Sequence, residues 1–331
     1  MKLVERIDAM VELGKYLKTP PPEWQEAKQK AFEANGWFTN EFVDLATENI
    51  ISQFLQEEKL YEWAKYYYLD DNIKPKNIGI VMAGNIPMVG FHDMLCVFIS
   101  GHKQTIKFSS KDTFLLKHII ETLAIQTPQS QLYFTVADML KGCDAYIATG
   151  SNNSSRYFEQ YFGAYPNIIR RNRTSVAILT GDESAAQLEK LADDVHLYFG
   201  LGCRNVTKLY VPVNYDFIPL LNAFRKYNYM QDHPKYKNNY DYYLALQIMN
   251  NRYYMTNDTI VLTEDEQPFS AISILHYAYY SNLASLVKTL ENDINIQCIV
   301  GQGMTEFGKS QSPGLFTYAD GTDTMQFLLS L

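Results

Sequence analysis

The residues best suited to covalent chemistry surround a single cysteine. Cys203 follows Gly200 and Gly202, and it lies between a predicted helix and the apolar strand Lys208–Val213. In such a turn, backbone amides crowd toward the sulfur, stabilise its thiolate and can donate to the oxyanion of an acyl adduct. The pattern predicts acyl transfer by a nucleophilic thiol. The alternative interpretation is a small buried hydrophobe, which is what most free cysteines are.

The other three cysteines have surroundings typical of core packing. Cys96 lies within an apolar helical run, Cys143 precedes an apolar strand, and Cys298 lies within a strand-like segment. The spacing of the four cysteines matches neither a disulfide framework nor a zinc site, and the six histidines include no His-x-x-x-His pair. We therefore expect a reducing compartment, a cytoplasmic location and no metal.

Composition limits the classes of partner. The 331 residues are 47% hydrophobic, which is enough for sizeable cores in about two domains. A net charge of −8 gives no broad electrostatic surface for phosphate backbones, so we expect no nucleic acid partner. Glu5 and Asp8 interrupt the first apolar segment, and no run approaches the roughly 18 apolar residues of a membrane span. We expect neither a signal peptide nor a membrane span.

The pattern of apolar residues predicts an α/β fold. The first 70 residues indicate helices, and from Ile78 onward short apolar strands alternate with amphipathic helices. This alternation is typical of mostly parallel sheets. A second α/β segment is expected to begin near Cys203.

Polar motifs follow three of the predicted strands, at the edge where open α/β sheets bind ligands. Asn85, in Gly84–Asn85–Ile86–Pro87, can direct its amide toward that edge. Lys107, Ser109 and Ser110 end the next strand and offer donors suited to ribose or phosphate. Taken singly, the first motif is better explained as a turn and the second as a solvated strand end.

The third motif is a glycine turn before a helix. Gly150 and Ser151 precede the helical segment Arg156–Phe162, so a helix N-terminus faces the sheet edge and favours an anion. The motif is not a Gly-x-Gly-x-x-Gly fingerprint, and its specificity is low.

In this order and spacing, the motifs resemble those of the aldehyde dehydrogenase superfamily. The resemblance implies an α/β fold with two Rossmann-like parallel-sheet domains and an N-terminal helical segment. It also implies a role for each motif: Asn85 in the oxyanion hole, Lys107 with Ser109 and Ser110 at the adenine-side ribose, Gly150 with Ser151 at the pyrophosphate, and Cys203 as nucleophile.

A narrower resemblance is to the acyl-CoA reductase family that includes the fatty acid reductase of bacterial luminescence. It runs from about Ile78 to the end of the chain and leaves the helical preface unmatched. The similar segments are Gly84–Pro87 with His92–Asp93, Phe108–Asp112, Phe199–Val206 and Tyr318–Gly321. The resemblance implies reduction of an acyl-CoA, with a fatty acyl group preferred, to the aldehyde through an acyl-cysteine intermediate.

The resemblance also implies a domain organisation, with cofactor binding and catalysis assigned to different parts of the chain. Residues 1–199 are expected to hold the helical preface and the nicotinamide cofactor-binding domain, and residues 200–305 the catalytic domain. Residues 306–331 are expected to return to the cofactor domain or to an oligomer interface.

One departure from the wider superfamily bears on the reaction. Hydrolytic members carry a Glu-Leu-Gly-Gly segment about thirty residues before the cysteine, and its glutamate activates water. Here the matching stretch is Ile169–Arg173, which has no carboxylate. Without a base, attack by water loses a factor of about 10² to 10⁴, so thioester chemistry is favoured over acid production. Glu306 only approximates the superfamily's Glu-x-Phe-Gly segment and is left unassigned.

The cofactor and the partners follow from the same resemblance. NADPH is preferred to NADH, since Lys107 or Lys111 could meet a ribose phosphate. A homodimer is expected, and an acyl-transfer or ligase protein is a further candidate partner. Two alternatives stay open: an acyl-phosphate reductase on the same fold, and a non-catalytic nucleotide-binding partner protein.

Overall fold

The chain divides into two compact units. The computed structural model describes residues 1–331. Unit 1 consists of Met1–Asn172 together with Pro313–Leu331, and unit 2 consists of Arg173–Ser312. No helix of either unit combines the length and the apolar character needed to cross a membrane.

Unit 1 begins with four helices, as the sequence predicts. They are α1 (Leu3–Lys18), α2 (Pro22–Ala34), α3 (Asn40–Phe54) and α4 (Glu57–Tyr66). Pro22 occupies the first position of α2, where its missing N–H is not needed. The Thr39 hydroxyl caps α3 by accepting a hydrogen bond from the Phe42 amide at 3.4 Å. Each helix buries one apolar face, so the preface is part of the core of unit 1.

A five-stranded parallel sheet follows the preface. Its strands are β1 (Asn77–Val81), β2 (Lys103–Lys107), β3 (Phe134–Val136), β4 (Ala145–Thr149) and β5 (Asn167–Arg170). The connecting helices are α5 (Phe91–Ser100), α6 (Phe114–Gln126) and α7 (Asn152–Phe162), with a 3₁₀ segment at Pro128–Tyr133. The strand order is β3-β2-β1-β4-β5. The order reverses between β1 and β4, and open α/β sheets generally bind ligands at the carboxyl ends of strands that flank such a reversal.

Unit 2 contains a six-stranded sheet of order β11-β6-β7-β10-β9-β8, in which only the β8–β9 pair is antiparallel. Its strands are β6 (Thr174–Ile178), β7 (Val206–Pro212), β8 (Met255–Thr256), β9 (Val261–Glu264), β10 (Ile274–Tyr280) and β11 (Ile296–Val300). Its helices are α8 (Ala185–His196), α9 (Ile218–Phe224), α10 (Pro234–Met249) and α11 (Leu283–Glu291), with 3₁₀ segments at Leu197–Gly200 and Arg225–Asp232. Two parallel-dominated sheets with helices are what the sequence predicts.

Residues 313–331 complete unit 1. They contain a 3₁₀ segment at Ala319–Gly321 and the helix α12 (Thr324–Leu329). The Trp63 indole N–H donates to the Tyr318 hydroxyl at 3.0 Å, which ties this segment to α4. The hydrogen bond joins residues 255 positions apart in the chain.

The boundary between the units differs from the predicted one. It lies between Asn172 and Arg173, whereas the sequence placed it between residues 199 and 200. The reason is strand pairing, because β6 pairs with both β7 and β11 and so belongs to the sheet of unit 2. The chain returns to unit 1 at Pro313 rather than at residue 306. The functional roles assigned to the domains stay predictions.

Candidate functional site

Cys203 lies at a tight turn that leads directly into β7. The Asn205 amide donates to the Gly202 carbonyl at 3.1 Å, and the Gly202 amide donates to Asn205 Oδ1 at 2.8 Å. Cys203 lies between these two residues, is partly exposed and forms no disulfide. We call residues 201–205 the Cys203 turn. The two hydrogen bonds between Gly202 and Asn205 fix the backbone on both sides of Cys203.

The chain enters the Cys203 turn through three consecutive residues with positive φ. Tyr198, Phe199 and Gly200 have φ values of 55°, 56° and 73°. For a residue other than glycine this conformation costs about 1 to 2 kcal/mol, so the fold must hold the two aromatic residues in place. Both are buried, and the Phe199 ring lies 4.6 Å from the His233 ring between centroids. Strained backbone of this kind clusters at functional sites.

Ser175, the second residue of β6, supports the turn from the sheet. Its buried hydroxyl donates to the Cys203 carbonyl at 3.0 Å and accepts from the Cys298 amide at 3.2 Å. The Cys298 sulfur lies 3.1 Å from the same hydroxyl oxygen. Burial raises the pKa of the Cys298 thiol, which therefore stays protonated at neutral pH. Cys298 is a packing neighbour of Ser175 rather than a second nucleophile.

The surroundings of the two remaining cysteines make their thiols unreactive. Cys96 is fully buried in α5, and Cys143 is buried before β4. Burial raises the pKa of both thiols. Since the thiolate is the nucleophile, neither thiol is suited to attack at neutral pH.

In unit 1, Asn85 lies in the loop that follows β1. Gly84 packs so closely on the next loop that a Cβ there would lie 2.6 Å from Ser109 Oγ. Met88, three residues after Asn85, has a φ of 55°, and its amide donates to Asp112 Oδ2 at 2.6 Å. We call residues 84–88 the Asn85 turn. It is held in one conformation by the loop that follows β2.

In the loop after β2, the side chain of Ser109, one of the predicted ribose ligands, is hydrogen-bonded within the loop itself. Lys107 is the last residue of β2 and is exposed. Ser109 Oγ accepts from the Lys111 amide at 3.2 Å, and the Ser109 carbonyl accepts from the Asp112 amide at 3.1 Å. Ser110 is exposed at the tip of this turn. Lys107 and Ser110 are therefore the members of this motif that face solvent.

Asp112 is a buried carboxyl group that the sequence reasoning passed over. Its side chain is 2% exposed, Oδ2 accepts from Met88, and Oδ1 has no hydrogen-bond partner. Burial raises its pKa to about 7, although the Met88 hydrogen bond opposes the shift. The segment Phe108–Asp112 drew attention for its lysine and serines, and an aspartate in a polar turn carries no local signal of burial.

Gly150 and Ser151 lie where β4 ends and α7 begins. A Cβ on Gly150 would lie 2.8 Å from the Phe158 ring, so glycine allows the turn to pack on the helix. The Ser151 hydroxyl accepts from the Ser154 amide at 3.2 Å and caps α7. The motif therefore places a helix N-terminus at the carboxyl end of β4, and the Ser151 side chain is engaged in the cap.

The structure brings the unit 1 motifs to one edge of one sheet. The Asn85 turn follows β1, residues 108–112 follow β2, and Gly150 with Ser151 follows β4; β1 pairs in parallel with both β2 and β4. The carboxyl ends of these strands therefore share an edge. No group of three or more His, Cys, Asp and Glu side chains in the molecule could hold a metal ion.

Two further segments of the narrower resemblance serve to pack residues 313–331. Asp93 in α5 forms a buried ion pair with Arg170, and Arg170 Nη2 donates to Thr324 Oγ1 at 2.8 Å. His92 Nε2 lies 3.1 Å from the Leu315 carbonyl, and its ring stacks at 5.4 Å on Tyr318. His92, Asp93 and Tyr318 therefore have a structural explanation that needs no part in catalysis.

The stretch Ile169–Arg173, predicted to match the segment that carries the glutamate in hydrolytic enzymes, has a structural role as well. Arg170 ends β5 and is 3% exposed, so its guanidinium is committed to the Asp93 pair. Glu306, left unassigned above, is exposed in unit 2, and its carbonyl accepts from the Lys309 amide at 3.1 Å.

The architecture defines an α/β fold of the aldehyde dehydrogenase type, which confirms the predicted fold class. Aldehyde dehydrogenase 21 from Physcomitrella patens, solved with the reaction product succinate, matches with a TM-score of 0.66 at 12% identity. The match covers 91% of this chain and 74% of that one.

Two bacterial structures agree. An aldehyde dehydrogenase from Mycobacterium tuberculosis complexed with NAD⁺ has a TM-score of 0.64 at 13% identity, over 87% of this chain and 70% of that one. The NAD⁺ complex of the Bacillus cereus enzyme has a TM-score of 0.63 at 12% identity, over 88% and 70%. No protein-family model and no curated protein matches the chain.

Proposed function

We propose that this chain is an oxidoreductase that reduces an acyl-CoA thioester to the aldehyde through an acyl-Cys203 intermediate. The observation that carries the proposal is the Cys203 turn, a partly exposed cysteine on a strained, hydrogen-bonded backbone in an aldehyde dehydrogenase-type fold. A fatty acyl group is the preferred substrate, by resemblance to the acyl-CoA reductases.

The proposed first step is acylation of the cysteine. The Cys203 thiolate attacks the thioester carbonyl carbon, an S–C bond forms, and the CoA thiolate leaves and takes up a proton. The Cys203 amide and the Asn85 side chain are the proposed oxyanion donors, and loss of one such donor typically costs about 3 to 4 kcal/mol. Asn85 enters by resemblance to the superfamily.

The proposed second step is reduction. A reduced nicotinamide, when bound, would supply the hydride for the acyl carbon and would itself be oxidised. The C–S bond then breaks, which releases the aldehyde and returns Cys203 to its thiolate. The exposed Lys107 and Ser110, with the helix N-terminus behind Gly150 and Ser151, suit the ribose and phosphate groups of such a cofactor. Lys107 and Lys111 favour NADPH over NADH.

The missing general base supports reduction over hydrolysis. In the stretch Ile169–Arg173, the residue Arg170 is buried against Asp93 and offers no carboxylate for water. Attack by water on an acyl-cysteine then loses a factor of about 10² to 10⁴, so the thioester persists for hydride transfer.

The test is intact-mass spectrometry after incubation with a long-chain acyl-CoA. We expect one acyl adduct on the parent and on Cys298→Ala, and none on Cys203→Ala. NADPH should then remove the adduct and release aldehyde, trapped as its hydrazone. Cys298→Ala is the matched control because it removes a partly buried cysteine next to the same Ser175 hydroxyl.

Each other outcome contradicts a defined part of the proposal. An adduct that still forms on Cys203→Ala would show that Cys203 is not the nucleophile. An adduct formed from an acyl phosphate but from no acyl-CoA favours the acyl-phosphate reductase, and no adduct from either favours a non-catalytic protein. Faster turnover with NADH than with NADPH contradicts the phosphate-binding role of Lys107 and Lys111.

A further inference from the structure

Asn205, two residues after the cysteine, makes an unusually complete set of hydrogen bonds. The side chain is fully buried, and Oδ1 accepts from the Gly202 amide at 2.8 Å. Nδ2 lies 3.1 Å from the Asp194 carbonyl, 3.3 Å from that of Val195 and 2.9 Å from that of Leu197. Carbonyls only accept hydrogen bonds, so the amide nitrogen must face them, and the orientation of the group is fixed.

The three carbonyls lie at the end of α8. The last four carbonyls of a helix have no partner within it, and Asp194 and Val195 belong to that set. Asn205 therefore caps the C-terminal end of α8, although it does not adjoin the helix in the sequence. Between the helix end and Asn205 lie the residues with positive φ, Tyr198 and Phe199 among them.

The same helix end anchors a second segment of unit 2. The Asp194 carboxylate accepts from the Gly308 amide at 2.6 Å and from the Ser310 amide at 3.0 Å. Asp194 is 1% exposed, so these bonds are shielded from water. The Asp194 carbonyl and carboxylate thus connect Asn205 to the turn that follows Glu306.

We propose that Asn205 is a positioning residue for Cys203: it clamps the Cys203 turn to the end of α8 and so fixes the orientation of the thiol and of the Cys203 peptide. Asn205 acts through the backbone and does not touch substrate. It also engages the Gly202 amide, so this amide is not an oxyanion donor. The expected effect on catalysis rests on the proposed function, whereas the expected effect on the reactivity of the Cys203 thiol does not.

The test compares two buried asparagines of unit 2. Asn205→Asp keeps the acceptor for Gly202 but places a carboxylate against three carbonyls. Asn257→Asp is the matched control, because Asn257 is 6% exposed, accepts from the Thr259 and Ile260 amides at 3.1 Å each, and donates to the Leu221 carbonyl at 3.1 Å. Asn205→Ala tests the same clamp without a new charge and covers the case in which Asn205→Asp does not fold.

The readouts are the rate of Cys203 alkylation by iodoacetamide at pH 7, hydrogen exchange of the peptide that spans residues 198–206, and acyl-CoA kinetics. We expect alkylation to slow about tenfold in Asn205→Asp and Asn205→Ala, because the turn would no longer hold the thiol and its neighbouring backbone amides in one arrangement. Hydrogen exchange should rise in that peptide. The kcat value should fall about 100-fold with KM little changed, since the loss is one of orientation.

Asn257→Asp should leave alkylation within twofold of the parent. Equal alkylation and exchange in the parent and both Asn205 variants would overturn the clamp, as would an equal effect of Asn257→Asp. If the clamp variants change alkylation but the parent takes no acyl group, the positioning role stands and the proposed function fails. The two ideas are therefore separable.

Discussion

The Cys203 turn of unit 2 and the Asn85 turn of unit 1 are built on the same plan with different side chains. The Asn85 turn contains a residue other than glycine with positive φ, and the Cys203 turn is entered through such residues. In each turn, a buried side-chain oxygen accepts a hydrogen bond from a backbone amide. Asn205 provides that oxygen in one turn and Asp112 in the other. The difference lies in what else the side chain does.

Asn205 is neutral and bonded through both ends of its amide, so its hold on the turn has no titrating group. Asp112 is ionisable, and only one of its oxygens has a hydrogen-bond partner. A buried carboxyl without full compensation is costly to ionise. The hold of Asn205 on the Cys203 turn therefore involves no proton of its own, whereas the hold of Asp112 on the Asn85 turn is coupled to proton binding.

The glycines of the two turns differ as well. Gly84 is required for space, since an added Cβ would meet Ser109 Oγ at 2.6 Å, Ser109 Cβ at 2.7 Å and the Asp112 nitrogen at 3.1 Å. Gly200 is required for conformation, since its φ is 73° while an added Cβ would come no nearer than 3.5 Å to its closest neighbour, the Val195 carbonyl oxygen.

The largest expected effect is that of Gly84→Ala. Overpacking against a serine Cβ and a backbone nitrogen should lower the free energy of unfolding by about 3 kcal/mol, measured by urea denaturation. Gly314→Ala is the control in unit 1, because a Cβ there meets nothing within 4 Å. Adding Ser109→Gly should recover part of the loss, and a loss equal to that of Gly314→Ala would contradict the steric explanation.

A smaller effect, and one that depends on pH, is expected for Asp112→Asn. The folded pKa of about 7 lies above the ordinary 3.8, so the folded chain holds a proton that the unfolded chain has lost between these values. Stability from this group therefore falls as pH rises from about 4 to 7. The asparagine variant does not titrate and should gain about 2.5 kcal/mol relative to the parent between pH 5 and pH 8.

The measurement is urea unfolding of both proteins at the two pH values. Asp138→Asn, at an exposed position of unit 1, is the control and should show no such gain. A constant difference between Asp112→Asn and the parent across this range would show that Asp112 is already ionised in the folded chain.

The smallest expected effect is that of Gly200→Ala. Its cost is conformational and should be about 1 kcal/mol in the free energy of unfolding. Gly303→Ala provides the comparison in unit 2, because Gly303 has a φ of 78° and open space around it. The two losses should agree. A Gly200→Ala loss several times larger would mean that space as well as conformation limits the entry to the Cys203 turn.

Local pattern accounts for what could be predicted from the sequence. Alternating apolar strands and helices are visible within a few residues, so the α/β class, the helical preface and the position of Cys203 before β7 follow from it. Pairing between strands is a long-range property. Nothing near residue 173 indicates that β6 pairs with β7 and β11, which explains the shifted boundary.

The side chains that hold the turns were missed for a related reason. Asp112 meets Met88 from 24 positions away, and Asn205 reaches back 11 positions to Asp194. A polar residue in a polar loop predicts exposure, and only the packed structure shows both of them buried. His92 and Asp93 show the reverse, because a recognisable motif proved to be explained by packing against residues 313–331.

The return of residues 313–331 to unit 1 also sets an order of events during synthesis. Unit 2 is one uninterrupted stretch, whereas Trp63 of unit 1 must wait for Tyr318 to be translated. At the usual rate of roughly 5 to 20 residues per second, the intervening stretch keeps the helical preface without its partner for about ten seconds or more. The helical preface therefore leaves the ribosome before unit 2 but is completed after it, and its unfinished apolar face must be kept from misassociation until then.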